Sequence, residues 1–102
     1  MLLAELAHAR SGDKSGSANI GIIVVRKADV GRVGKALTPA RIRRVLGLAT
    51  DQPVKIFRLP KLCAFNILLP DVLGGAPPYS LSFDVFGHYF GSRILALEVG
   101  DE

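Results

Sequence analysis

The stretch Ala9-Arg10-Ser11-Gly12-Asp13-Lys14-Ser15-Gly16-Ser17-Ala18-Asn19-Ile20-Gly21 sets charges, hydroxyls and glycines between two apolar runs. That mixture predicts a loop pinned at both ends by strands. In it Gly12 and Gly16 permit backbone angles that turn N–H groups, Arg10 and Lys14 toward one point. A phosphate or carboxylate fits such a cradle, with Arg10 and Lys14 as charge-assisted donors and Ser11, Ser15 and Ser17 as hydroxyl partners. The spacing is not that of a Walker loop, so nucleotide hydrolysis gains no support. The plain alternative is a structural loop, in which Asp13 pairs locally with Arg10 or Lys14 and the glycines only serve turn geometry.

Outward from this stretch, residues 2–9 read as a short strand. Ile20 to Val25 is β-branched and almost wholly apolar, which suits a central strand covered on both faces. Asp29 is placed to cap a helix carrying Val30, Val33 and Leu37, weakened by Gly31 and Gly34. Thr38-Pro39 is a stronger start signal, a capping hydroxyl followed by a proline in the first turn. Ile42, Val45, Leu46 and Ala49 then recur at helical spacing, and Arg41, Arg43 and Arg44 form the solvated face. Val54–Leu59 reads as a strand between two prolines, and Cys63–Leu69 as its neighbour. Residues 71–78 are turn-rich and 79–84 alternate as a half-buried strand. Over residues 88–97 the pattern is double: Phe90, Ile94 and Leu97 fit a helical stripe, while Leu95, Leu97 and Val99 fit a strand.

Strands outnumber helices, and the better helix follows one strand and precedes a close pair. That arrangement predicts an α+β, ferredoxin-like sandwich, a mostly antiparallel sheet with helices on one face. A length of 102 residues with no linker or repeat implies one domain over 1–102. Apolar residues make up 49% and charged ones 22%, which removes the chain from the disordered class and leaves apolar surface to spare for an oligomer or a larger partner. A lone cysteine, Cys63, excludes an internal disulfide and reads as a small buried hydrophobe in a strand. No Cys/His spacing calls for a metal, and no cofactor is implied. Glu5 interrupts the apolar start and no run reaches membrane-spanning length, so no anchor is expected and a cytoplasmic setting is. The net charge of +4 is modest, and no aromatics interleave the arginines, so nucleic acid is not the expected partner.

The chain resembles the small domain found at the C-terminus of acyclic terpene utilization protein A and as free-standing proteins. The likeness rests on Ala9-Arg10-Ser11-Gly12-Asp13-Lys14, Ala18-Asn19-Ile20-Gly21, Phe65-Asn66-Ile67-Leu68, Leu73-Gly74-Gly75, and Ser82-Phe83-Asp84 with Gly87. It implies a ferredoxin-like fold and an association with catabolism of branched acyclic terpenoids through acyl-CoA chemistry. It also implies pairing with a separate, larger protein like the domain to which its relatives are fused. Two departures bear on any ligand: Lys14-Ser15-Gly16 stands where relatives read Lys-Gly, and His88 where they carry Lys.

The candidate ligand-binding set is therefore Arg10, Ser11, Gly12, Asp13, Lys14, Asn19, Asn66 and Asp84. Asn66 interrupts an apolar run, where a buried amide must find partners or cost about 1–3 kcal/mol. It either braces the glycine loop or bonds main chain at a bulge. Asp84 closes a polar face of Ser80 and Ser82 and is placed to act as a base or to open a turn. His8 and His88 are proton carriers by type, but no nucleophile is spaced to use them, and the plain reading puts both at the surface. Three functions follow from these residues. The first is an accessory domain that binds an anionic or acyl-CoA-like group at residues 10–19 inside a larger assembly. The second is a lyase, hydratase or isomerase using Asp13 or Asp84 as base and Lys14 against enolate charge. The third is a structural module that docks through apolar surface.

Overall fold

The computed structural model describes residues 1–14, 17–72 and 90–100. Four strands, β1 (Ala7–Lys14), β2 (Ser17–Val24), β3 (Lys55–Leu59) and β4 (Ala64–Leu69), form one antiparallel sheet in the order β1-β2-β4-β3. Helices α1 (Val30–Ala36) and α2 (Pro39–Leu46) lie between β2 and β3, and residues 90–95 are helical. β2 and β3 are each antiparallel to β4, which lies between them, so they run parallel to each other with the two helices as their crossover. This is a split βαβ unit, and the architecture is the expected α+β, ferredoxin-like one.

Alternation explains which way the sheet turns. Ala18, Ile20, Ile22 and Val24 on β2 and Phe65, Ile67 and Leu69 on β4 are buried, together with Val33, Ile42, Leu46, Phe90 and Ile94 from the helical layer. That layer packs closely: a Cβ added at Gly34 would stand 3.2 Å from the Phe65 ring, and one at Gly91 would stand 3.3 Å from Ala9 Cβ. Small residues at these two points let the helices approach the sheet. Ile23 is half-buried and Val25 exposed, and among the described residues β2 is covered on one face, that of the helices. Its continuous apolar run reads as two-sided cover only if the odd positions are counted as core.

The helix starts follow their signals. Thr38 Oγ1 accepts from the Arg41 N–H at 3.3 Å, Pro39 occupies the first turn, and Gly47 ends α2 in the left-handed region at φ 68°. Asp29 stands before α1 but makes no cap hydrogen bond. It pairs instead with Arg32 (2.9 Å), one turn on. The ambiguity at the C-terminus resolves as a helix over residues 90–95, with Phe90 and Ile94 buried. Leu97 is buried beyond its end, Glu98 makes an isolated bridge to Leu2, and the Val99 N–H donates to Met1 O at 2.8 Å. Cys63 is not in a strand: it sits at φ 51°, ending the 3₁₀ turn Pro60–Leu62 that joins β3 to β4. Among the described residues no helix is long and apolar enough to cross a membrane. The turn and strand expected over 71–84 lie, beyond residue 72, outside the described residues.

Candidate functional site

Residues 10–14 and 17–19, expected as a loop, belong to a β-hairpin. β1 and β2 pair through Arg10↔Gly21, Ser11↔Ile20, Gly12↔Asn19, Asp13↔Ala18 and Lys14↔Ser17. An edge strand with one wet face and a polar loop have the same composition. What decides for the strand is that Ala7 and Ala9 can turn inward while His8 and Arg10 turn to water. The hairpin undoes the expected convergence. Arg10 and Ser11, adjacent in a strand, point to opposite faces. Arg10 and Lys14 are about 13 Å apart along the backbone. The Ser17 hydroxyl, expected to meet an anion, accepts the Asp71 N–H at 3.0 Å and ties the hairpin to the segment after β4.

A different grouping takes its place. Register carries Arg10 to Gly21, Gly21 to Asn66, and Asn66 to Phe57, one row across all four strands on the face away from the helices. The next row on that face is Gly12, Asn19, Leu68 and Lys55, and on the other side come His8, Ile23, Ala64 and Leu59. Thus Arg10, Gly12, Asn19 and Asn66, widely separated in sequence, share one face that no described element covers, while Ser11 belongs to the opposite one. Asp13 and Lys14 hold backbone positions at the hairpin end, and Asp84 lies outside the described residues.

Gly21 gives this face its relief. A Cβ there would make one ordinary contact, with the Arg10 carbonyl oxygen at 3.9 Å, so a small side chain fits without displacing a described atom. Arg10 on one side and Asn66 on the other flank that notch, about 10 Å apart as two inter-strand spacings. Asn66 is half-buried beside water, which removes the need for an internal partner expected of a buried amide. No hydrogen bond holds the Arg10, Asn19 or Asn66 side chain to another described residue, so their donors and acceptors remain available. Gly21 and Phe57 escaped the sequence reading as site residues. Their signal was the period of two linking Asn19, Gly21 and Ile23, and Lys55, Phe57 and Leu59.

The remaining candidates separate. Asp13 stands three rows from Asn66, so the backbone brings no acid–base pair together there. His8 is exposed on β1, and no group of three His, Cys, Asp or Glu among the described residues is placed to hold a metal ion. Of the arginines expected in solvent, Arg44 is exposed, but Arg41 and Arg43 are half-buried. Arg41 donates to Glu98 O (2.7 Å) and Arg43 to Gln52 O (2.8 Å), pinned by main-chain carbonyls. A hollow of about 400 Å³ lies elsewhere, at the end of β2 between Glu5, Arg26, Asp29 and Arg32. It mixes both charges and touches none of the residues above.

A four-stranded antiparallel sheet with helices on one side, and polar residues on the side that no described element covers, defines a small α+β, ferredoxin-like domain. The chain belongs to the AtuA ferredoxin-like domain family, whose model matches residues 1–100. No curated protein sequence and no solved structure matches it.

Proposed function

We propose that this chain is an accessory domain of terpenoid or acyl-CoA catabolism, which pairs with a larger protein and receives an anionic, acyl-CoA-like group on the sheet face away from the helices. One observation carries the reading: Arg10, Gly21 and Asn66 are consecutive in a cross-strand row, with a residue that has no side chain between the two polar ones. Arg10 supplies the charge for a phosphate or carboxylate, and Asn66 and Asn19 supply neutral donors beside it. Phe57 closes the row with an aromatic face for an acyl chain. A flat sheet buries little of a small ligand, whereas ligand sites are concave, so a partner standing over the face would complete the site. Family membership supports the accessory role, and the resemblance to the terpene-utilization protein supports the acyl-CoA class.

Calorimetry with a branched acyl-CoA thioester tests this reading. Saturable binding is expected, weakened about 10–100-fold by Arg10→Ala, the range for losing a charged hydrogen bond. Unchanged binding by that variant, or no heat from the wild-type chain at millimolar thioester, overturns it.

A further inference from the structure

The sheet face away from the helices is divided. Toward the β3–β4 turn it is apolar: Phe57 is 48% exposed, Leu59 39%, and Leu62 in the turn 67%, with Val25 at 62% following Ile23 off the end of β2. Leu59 stands opposite Ala64 and Ala64 opposite Ile23, so these side chains form one patch rather than scattered singles. His8 and Arg10 flank it on β1 and Lys55 on β3. No aspartate or glutamate occupies positions 8, 10, 12, 17, 19, 21, 23, 25, 55, 57, 59, 64, 66 or 68.

We propose that this face docks a different protein chain, one presenting an apolar centre to Phe57 and Leu59 and a rim of carboxylates to Arg10 and Lys55. The inference rests on the accessory reading above and names the chemistry of the partner. Four strands and about six residues of each give the whole face a footprint of roughly 400 Å², with its apolar part confined to the end nearest the β3–β4 turn. Charge selects the occupant. A second copy meeting this face with its own would oppose cations to cations, with no carboxylate at the described sheet positions of either side, and like-charge juxtaposition is what excludes wrong partners. A chain with acidic rim residues replaces that repulsion with attraction and steers the encounter.

A benzophenone photo-crosslinker introduced at position Phe57, with one at exposed Ala40 on α2 as control, tests the surface in the native cell without acyl-CoA. Cross-linked products are sequenced by mass spectrometry. The expected product joins position 57, and not position 40, to a segment of another protein with apolar residues beside Asp or Glu. Its yield should fall about tenfold or more with the double change Arg10→Glu and Lys55→Glu, which circular dichroism checks for retained fold. Cross-links only to copies of this chain, equal yields at both positions, or a yield indifferent to charge reversal in a folded variant overturn the proposal. A failed calorimetric titration beside a charge-dependent cross-link removes the acyl-CoA ligand and leaves the docking surface standing.

Discussion

β2 shows two proteins in one strand. Its even positions, Ala18, Ile20, Ile22 and Val24, are buried against the helices, whereas its odd positions, Asn19, Gly21 and Ile23, belong to a face that no described element covers. The first set is held by packing and tolerates little change of volume. The second packs against no described helix, and through its pairings its Gly21 shares a row with Arg10 on β1 and Asn66 on β4. Stability belongs to the first set, and the recognition proposed above to the second.

Substitutions on opposite faces test that division, and the largest contrast is within β2 itself. Ile20→Ala removes a side chain with no exposure and should cost about 2–5 kcal/mol in chemical denaturation, while Ile23→Ala, half in water already, should cost about 1 kcal/mol or less. Equal costs would show that the odd face is buried in solution and would end the contrast. The glycines form the second pair. Gly34→Leu drives a side chain into the Phe65 ring and should lose about 1–3 kcal/mol, whereas Gly21→Val sets a strand-favouring residue where a Cβ fits and should hold or gain up to about 1 kcal/mol. The same Gly21→Val protein should bind acyl-CoA at least about tenfold more weakly if the notch is the subsite, so stability and binding move in opposite directions. The smallest effect belongs to Phe57→Thr. On an exposed edge strand it should change unfolding free energy by no more than about 0.5 kcal/mol, and a larger loss would mean that Phe57 packs against the rest of the chain.

Much of the architecture was legible because the local signals were strong. Thr38-Pro39 and Gly47 mark both ends of α2 by mechanisms that need no tertiary partner, a hydroxyl that accepts an orphan N–H and a residue that accepts positive φ. The strands at 55–59 and 64–69 stood out by their proline brackets and apolar content. The hairpin at 7–24 was misread because Gly12, Asp13 and Ser17 carry turn propensity, and propensity is overridden when pairing partners are available on the neighbouring strand. For the candidate site, the residue types are legible in the sequence but their grouping is not: register puts Arg10, Asn19 and Asn66 on one face with Gly21 and Phe57, and Ser11 on the other.

Composition and period alone determined that this chain folds around strands with one amphipathic helix, and which polar side chains lie near the first two strands. Which of those side chains meet was settled only when β4 entered between β2 and β3. Register then carried Asn66, more than forty residues away in sequence, to the far side of Gly21 from Arg10. Local sequence encodes backbone preference, but a cross-strand row is a sum of two pairings and one strand order, and those are fixed by burying the even face against the helices.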